Sequence, residues 1–186
     1  MAKLISSGTV SLDGFMADPE GNYDWSIPGD DVLAYLTWRE RSVGTHLYGR
    51  RMYEEMMEWE TADQIPGQDQ LIIDFARTWQ AADKIVYSTT LGSASTARTE
   101  IKPTFDLREV QQMKATLDQD IVISGPCLAE HAIRAGLVDE YQLYVSPVAV
   151  GGGLRFFPTG TRVHLTLMEH HRFDDGVVFL RYAAAP

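Results

Sequence analysis

The sequence has little cysteine and little positive charge. Cys127 is the single cysteine among 186 residues, which excludes an internal disulfide framework and a multi-cysteine zinc site. The 16 lysines and arginines are outnumbered by 26 aspartates and glutamates, so the formal net charge is −10. Because a polyanion must be met by a basic surface, this balance opposes nonspecific binding to nucleic acid and to anionic membranes.

Long apolar runs are missing as well. Near the N-terminus, Ser6, Ser7 and Gly8 interrupt a short apolar run, which therefore lacks the central region of a signal peptide. No segment has the apolar length that a membrane-spanning helix requires. With 45% hydrophobic residues, the chain is long enough for one sizeable core. We therefore expect a cytoplasmic protein with one domain over residues 1–186.

The standard motifs of nucleotide and metal sites do not occur. There is no GxGxxG after the first predicted strand and no GxxxxGK[ST], so neither a Rossmann domain nor a phosphate-loop NTPase is indicated. His170 and His171 are neighbours in a predicted strand and point to opposite faces, and no HExxH accompanies them. We expect no metal.

The segments that are present alternate between strands and helices. Strands are predicted in KLISSGTVSL, THLYG, ADKIVYSTT and QDIVISG, and helices over residues 30–44, 50–60, 107–118 and 126–136. A long strand with a turn follows over 137–153, and two strands over 162–185 meet at Asp175-Gly176, a hairpin signal. This order predicts an α/β fold with a mostly parallel central sheet, an antiparallel C-terminal edge and helices on both faces.

Three strand-to-helix junctions could meet one anionic ligand, because the carboxyl ends of parallel strands lie at one rim of a sheet. They are Tyr48 to Arg51, Tyr87 to Thr90 and Ile123 to Pro126. Arg50 and Arg51 oppose the helix dipole at a cost of about 0.3–1 kcal/mol, whereas a hydrogen bond to a charged group contributes about 1.5–3 kcal/mol. We therefore expect both arginines to hold phosphate. The alternative is a pair of exposed i, i+4 contacts with Glu54 and Glu55, each contributing about 0.3–0.5 kcal/mol.

Six segments in order along the chain resemble the dihydrofolate reductase-like superfamily, and within it the single-domain relatives of the reductase domain of the bacterial bifunctional deaminase-reductase of riboflavin synthesis. They are SLDGFMA, YDW, LYGRRMYEEM, YSTTL, VISGPCL and GLVDEYQLYVSPVAVGGGLRFF. The resemblance implies a three-layer dihydrofolate reductase-like fold and a homodimer. It also implies hydride transfer from NADPH to a small heteroaromatic or ribosylamino substrate, of the 5-amino-6-(5-phosphoribosylamino)uracil or pterin/dihydrofolate type.

The cofactor residues that the resemblance implies lie at the three junctions and around the first strand. The phosphates of the cofactor would contact Gly49, Arg50, Arg51 and Met52, and its 2′-phosphate would contact Ser88, Thr89 and Thr90. The pyrophosphate would contact Ser124, Gly125, Pro126, Cys127 and Leu128. The nicotinamide carboxamide would contact Thr9, Met16 and Ala17. This chain departs from the family at two of these positions. Met52 stands where threonine is frequent, and Ser124 replaces the first of two glycines.

The substrate side has fewer candidates. Asp13 is the candidate catalytic residue or polar substrate contact, with a turn-forming Asp-Gly pair as the alternative. Trp25 and Tyr35 are candidates for the pocket wall, although such aromatics are also typical of a core. The resemblance implies a carboxylate on the first helix that supports protonation of the substrate, and Asp30 and Asp31 are offset towards the start of that helix, where capping is a sufficient explanation. Asp31 is kept as a candidate substrate contact. We expect Cys127 to be a packed small side chain rather than a nucleophile.

Two other classes of protein share parts of this pattern. A non-catalytic nucleotide- or pterin-binding protein would keep the phosphate junctions without a reaction. An interaction or scaffold protein would bind no cofactor, and its arginines would pair with acidic neighbours on the helix.

Overall fold

The computed structural model describes residues 1–185 of the chain. Ten strands occur in this range: β1 (Leu4–Ser11), β2 (Phe15–Ala17), β3 (Val43–Gly49), β4 (Asp83–Tyr87), β5 (Thr99–Lys102), β6 (Asp120–Ser124), β7 (Glu140–Ser146), β8 (Leu154–Arg155), β9 (Leu165–Arg172) and β10 (Val178–Ala184). The α-helices are α1 (Asp30–Glu40), α2 (Arg50–Met56), α3 (Gln70–Ala81), α4 (Leu107–Thr116) and α5 (Pro126–Arg134). Short 3-10 helices cover Asp24–Ser26, Met57–Glu60 and Ala62–Gln64.

Eight of the strands form one sheet in the order β5-β4-β3-β6-β1-β7-β10-β9. In this sheet order, the six strands β5, β4, β3, β6, β1 and β7 run parallel to their neighbours. The strand β10 is antiparallel to both β7 and β9. The strands β2 and β8 form a separate antiparallel ribbon. The predicted α/β fold, with a mostly parallel sheet and an antiparallel C-terminal edge, is confirmed.

The helices cover both faces of the sheet, as predicted. On one face, Val110 of α4 and Ala132 of α5 pack in a core with alternate strand residues such as Leu47. On the other face, Trp79 of α3 packs with Tyr48, the next residue along β3. This alternation follows from the two-residue period of a strand. Within residues 1–185, no helix combines the length and the apolar character needed to cross a membrane.

Several predicted boundaries are wrong. The first helix ends at Glu40 rather than Gly44, because Val43 already pairs with Asp120 in the sheet. The second helix ends at Met56 and continues as a 3-10 helix. The predicted strand over 137–153 is β7 alone, followed by a loop and the two-residue β8. The C-terminal hairpin is confirmed, with Asp175-Gly176 in the turn between β9 and β10.

The helix α3 was not predicted, although its signals are present in the sequence. Asp69 caps it by accepting a hydrogen bond from the amide of Leu71 at 2.8 Å. Leu71, Phe75 and Trp79 follow at four-residue spacing, and the last two are buried. The cap and this spacing together would have indicated the helix.

The ribbon of β2 and β8 depends on Gly153. This residue has φ +114°, and a Cβ built on it would lie 2.1 Å from the carbonyl oxygen of Ala17 and 2.5 Å from the carbonyl carbon of Asp18. Only glycine combines this φ with such a close backbone approach. Gly153 therefore lets the chain after β7 lie directly against the end of β2.

We predict that Gly153→Ala destabilises the protein more than Gly151→Ala does. Gly151 also has positive φ, at +78°, but nothing lies within 4 Å of a Cβ there. Gly151→Ala is therefore the control, and it should lower the free energy of unfolding only by the backbone strain, about 1–2 kcal/mol. In Gly153→Ala the Cβ must also displace the backbone of Ala17 and Asp18, which should lower the free energy of unfolding by about 1–3 kcal/mol more, the cost of overpacking. Denaturant unfolding of both variants measures the difference, and equal losses would contradict the proposed close contact.

Candidate functional site

The register of the parallel strands places the three predicted junctions side by side, although the prediction of a helix after Tyr87 is wrong, because a loop and the strand β5 follow β4. Gly49, the last residue of β3, is opposite Tyr87 at the end of β4, and Tyr48 is opposite Ser124 at the end of β6. The strands β4, β3, β6 and β1 are consecutive neighbours in the sheet. Their carboxyl ends therefore form one continuous edge, which we call the rim.

Two glycines keep the rim open at its centre. Around Gly49, nothing lies within 4 Å of the position of a Cβ. Gly125 has φ +91°, which turns the chain from β6 into α5, and a Cβ there would lie 3.5 Å from Cβ of Met52. Met52 itself packs against the core around Tyr48. The side chain that replaces a threonine is thus half-buried between Gly125 and this core.

Arg50 and Arg51 differ in their contacts although they are neighbours. The Nε of Arg50 donates to Oε1 of Glu54 at 2.7 Å, and its Nη1 donates to Oγ1 of Thr90 at 2.9 Å. No carboxylate of residues 1–185 lies within 4.0 Å of the Arg51 guanidinium. Arg50 and Glu54 thus form the i, i+4 ion pair, whereas Arg51 acts on Glu55 only at longer range, where its charge opposes the rise in the pKa of Glu55 that burial causes. Arg50 also joins the β3 junction to the β4 junction.

The loop after β4 is shaped by Ser88. Its Oγ accepts hydrogen bonds from the amides of Thr90 at 3.1 Å and Leu91 at 3.0 Å. Leu91 packs into the core beside Tyr48. Thr89 and Thr90 are left exposed on the outer side of this turn. The loop therefore presents two hydroxyl groups next to Arg50.

A narrow cleft, with no room for a water molecule, lies between β1, β2 and the start of α5. Of the predicted residues, Met16, Gly125 and Pro126 line it, while sequence reasoning missed Ser6, Ser7, Ala129 and Phe156. The signal for the serines was available, since Ser6 and Ser7 interrupt the apolar start of β1. The family resemblance is the one signal in the sequence for Phe156.

Met16 covers the middle of β1. A Cβ on Gly8 would lie 2.7 Å from Cε of Met16. Ala17 is buried beside it in β2, and Thr9 follows Gly8 in β1, opposite Tyr144. The three residues implied for the nicotinamide therefore lie on β1 and β2, next to the cleft.

Asp13 joins the turn after β1 to the loop after β7. Its Oδ1 accepts from Oγ of Ser11 at 2.7 Å and from the amide of Val150 at 3.1 Å, and its Oδ2 accepts from the amide of Gly151 at 2.7 Å. These hydrogen bonds, the one from Ser11 first, lower the pKa of Asp13 to about 2. The carboxylate is ionised at neutral pH and its acceptors are occupied, which favours the turn-forming interpretation over proton donation.

The three candidates on the substrate side do not share one environment. Asp31 lies in the first turn of α1, and its Oδ2 accepts from the amide of Asp174 at 3.3 Å. Tyr35 donates to Oε1 of Glu169 at 2.6 Å and stacks on His171 at 5.3 Å. Both contacts attach α1 to the C-terminal hairpin. Tyr35 also packs edge-on against Phe179, which favours the core interpretation for this residue.

Trp25 is the remaining candidate. It lies in the 3-10 helix Asp24–Ser26, which contacts β1. Its indole Nε1 is shielded and has no hydrogen-bond acceptor among residues 1–185. Trp25 thus has a buried donor available on the side of β1.

The expectation that Cys127 is a packed side chain is wrong, because Cys127 is exposed. It is the second residue of α5, where Pro126 and Leu128 are partly buried and Ala129 is fully buried. The apolar stripe of α5 begins at Leu128 and Ala129, so Cys127 lies outside it. The cysteine therefore faces the solvent beside the rim.

Comparison with known proteins gives a consistent result. The family model described as RibD C-terminal domain matches residues 2–179. The chain is 28% identical to the uncharacterized protein YyaP of Bacillus subtilis (strain 168) over 182 residues, which is 97% of this chain and 94% of that protein.

Solved structures share the fold. RibD of Acinetobacter baumannii superposes with a TM-score of 0.70 at 16% identity, covering 100% of this chain and 58% of that one. Dihydrofolate reductase of Enterococcus faecalis, complexed with NADP(H), superposes with a TM-score of 0.64 at 14% identity, covering 99% of this chain and 97% of that one. The predicted dihydrofolate reductase-like fold is confirmed.

We predict that Asp13→Asn lowers the thermal midpoint at pH 7 and that this loss fades as the pH falls towards 2. The folded-state pKa of Asp13 is about 2, below the ordinary 3.8. The carboxylate therefore contributes stability that is present above pH 3.8 and is lost as the pH falls through 2. Thermal unfolding from pH 2 to 7 measures it. The control is Asp118→Asn, at an exposed aspartate. A pH-independent difference between wild type and Asp13→Asn would contradict the role of the charge.

Proposed function

The chain belongs to the RibD C-terminal domain family, and on that premise we propose that it is an NADPH-dependent reductase that transfers hydride to a small heteroaromatic or ribosylamino substrate. Structural neighbours include RibD and a dihydrofolate reductase complexed with NADP(H). The observation that carries the proposal is the position of Arg50 and Arg51 at the rim, beside the hydroxyl groups of Thr89 and Thr90.

The residues at the rim fit a dinucleotide. A ligand with several phosphates needs close backbone approach, hydrogen-bond donors and positive charge. Gly49 supplies the open space, Thr89 and Thr90 supply exposed hydroxyls, and the two arginines supply the charge in a chain whose net charge is −10. Ser124, Gly125 and the start of α5 lie beside them and would face the pyrophosphate.

Arg50 is the better placed of the two arginines to meet the 2′-phosphate. Its hydrogen bonds to Glu54 and Thr90 hold the guanidinium next to the loop formed by Ser88 to Thr90. A guanidinium carries five N–H donors, so three remain for a phosphate. Arg51 has no such restraint and would meet another phosphate of the cofactor. In this arrangement Glu54 positions Arg50 without touching the ligand.

NADPH would supply the hydride from its reduced nicotinamide. The residues that would hold the ring are Thr9, Met16 and Ala17, next to the cleft between β1, β2 and α5. Their part is to orient the ring and to exclude water through the apolar cover of Met16 and Phe156.

The substrate would lie on the α1 side of the nicotinamide. Trp25 offers a buried indole donor there, suited to a carbonyl or ring nitrogen of a heteroaromatic compound. Asp31 lies at the start of α1 and would contact the polar edge of the same compound. Asp13 supports this region through the loop that it holds at Val150 and Gly151.

We predict that Arg50→Ala weakens NADPH binding by about 1.5–3 kcal/mol and NADH binding much less, because only NADPH carries the 2′-phosphate. Arg51→Ala should weaken both cofactors, and the double variant should lose both contributions. Arg41→Ala is the control, since Arg41 is exposed just before β3, at the opposite end of that strand. Titration of both cofactors by fluorescence measures these losses.

Two outcomes would contradict parts of the proposal. Equal losses for NADPH and NADH in Arg50→Ala would remove the 2′-phosphate assignment, and no loss in the double variant would remove the site. NADPH that binds but is not oxidised by any pyrimidine or pterin substrate would favour the non-catalytic binding protein. Absence of cofactor binding by the wild type would favour the scaffold.

We further predict a homodimer that uses the edge strand β9. This strand has an unpaired edge in the eight-stranded sheet, and Leu167 and Met168 are 48% and 53% exposed on it. Pairing with a second copy would satisfy the free backbone groups, and the exposed Met168 side chain, on one face of β9, would lie at the border of that contact. Sedimentation at micromolar concentration should show a dimer in the wild type and a monomer in Met168→Glu. A wild-type monomer would reject the prediction.

A further inference from the structure

A group of ionisable side chains is buried between the sheet and the helices α1 and α3, away from the rim. Glu40 is the last residue of α1, His46 lies in β3, and Lys84 lies opposite His46 in β4. The side chains of Glu40 and His46 are 18% and 6% exposed, and Lys84 is 1% exposed. Charged residues are rarely buried to this extent unless they are paired.

Glu40 and His46 are each other's polar neighbours. The Nε2 of His46 lies 3.6 Å from Oε2 of Glu40. Neither this oxygen nor the Nδ1 of His46 has a hydrogen-bond partner within residues 1–185, and both atoms are shielded. The imidazole also stacks on Tyr48 at 5.4 Å. The contact therefore connects the C-terminal end of α1 to the middle of β3.

The charged groups around the pair disfavour an imidazolium. Lys84 faces His46 from β4, and its Nζ lies 4.2 Å from the ring centre of Trp79 on α3. Burial and then Lys84 lower the pKa of His46 to about 3. Lys84 in turn has Glu60, Asp83 and Arg98 around it. His46 is therefore neutral at physiological pH.

The surroundings of Glu40 disfavour a carboxylate. Burial raises the pKa of Glu40 to about 7, and only Arg39 on the same helix opposes this shift. From the sheet, Tyr48 of β3 and Tyr144 of β7 face it, and both hydroxyls stay protonated because burial raises their pKa values. No cation of the sheet offsets the charge of Glu40. Its protonated form is therefore the one that fits the docked helix.

We propose that Glu40 and His46 form a proton-dependent anchor, which docks the end of α1 firmly on β3 while Glu40 is protonated and weakly once Glu40 is ionised. In the docked form both side chains are neutral, and the carboxyl group faces the imidazole at 3.6 Å across the helix–strand interface. Loss of that proton leaves a buried carboxylate beside a neutral imidazole, which is costly without a compensating charge.

The anchor connects α1, which begins beside the turn of the C-terminal hairpin, to β3, which ends at the rim. The helix α1 begins with Asp30 and Asp31, and β3 ends at Gly49, directly before Arg50. A change at the contact between Glu40 and His46 would therefore alter how α1 and β3 pack against each other. The inference does not depend on the proposed reductase activity, because it concerns the docking of a helix and is measured without cofactor or substrate.

The sign of the pH dependence follows from linkage. Between the ordinary pKa of 4.5 and the folded value of about 7, the folded protein keeps the Glu40 proton that the unfolded chain has lost. Stability from this group therefore falls as the pH rises through that range. His46 acts in the opposite direction, since its folded pKa is below 6.5 and stability rises with pH up to that value. A variant that cannot ionise at position 40 is needed to separate the contribution of Glu40 from that of His46.

The test compares wild type with Glu40→Gln, which keeps the shape and cannot ionise. The ratio of the wild-type unfolding constant to that of Glu40→Gln should rise by up to about tenfold per pH unit between pH 4.5 and 7. The control is Glu130→Gln, at an exposed glutamate paired with Arg134 of the same helix, where the ratio should change by no more than about twofold. Urea unfolding at several pH values gives the unfolding constants of the wild type, Glu40→Gln and Glu130→Gln.

A second measurement on the wild type covers the case in which Glu40→Gln does not fold. The 15N imidazole resonances of His46 should report a neutral ring from pH 5 to 8, with a change of shift near pH 7 as Glu40 ionises. Hydrogen exchange at the end of α1 should accelerate over the same interval. A ratio that stays constant with pH, or an imidazolium signal from His46 in this range, overturns the proposal.

Discussion

The candidate site depends first on the parallel register of β4, β3, β6 and β1. The pairing of Gly49 with Tyr87 and of Tyr48 with Ser124 brings all three junctions to one edge of the sheet. In an antiparallel arrangement the same segments would end at opposite edges. The positive charge of Arg50, the hydroxyls after β4 and the start of α5 can act on one ligand only because this register holds.

Local contacts then fix individual side chains on that frame. Arg50 is held by Glu54 and Thr90, and Asp13 by Ser11 and two amides of the loop after β7. Neither set of contacts needs a ligand to form. A site whose charged groups are already oriented loses less side-chain entropy on binding, which is how preorganisation contributes to affinity.

The sequence was sufficient for features that depend on pattern and insufficient for those that depend on packing. The alternation of strands and helices, the hairpin at Asp175-Gly176 and the three junctions followed from periodicity and turn chemistry. The end of α1 did not, because Val43 takes part in the sheet, and neither pattern nor propensity shows that pairing. The exposure of Cys127 and the buried pair of Glu40 and His46 depend on which side of a helix faces the sheet, which only the assembled fold determines.

The central position of β1 has a consequence for the synthesis of the protein. β1 contains residues 4–11, yet its neighbours in the sheet are β6 and β7, so its partners lie more than a hundred residues further along the chain. While the ribosome is still making the middle of the protein, the first strand has both edges free. Contacts of such long sequence separation form slowly, and unpaired apolar strands are prone to aggregate. The nascent chain therefore carries a central strand of its sheet uncovered until β7 has left the ribosome.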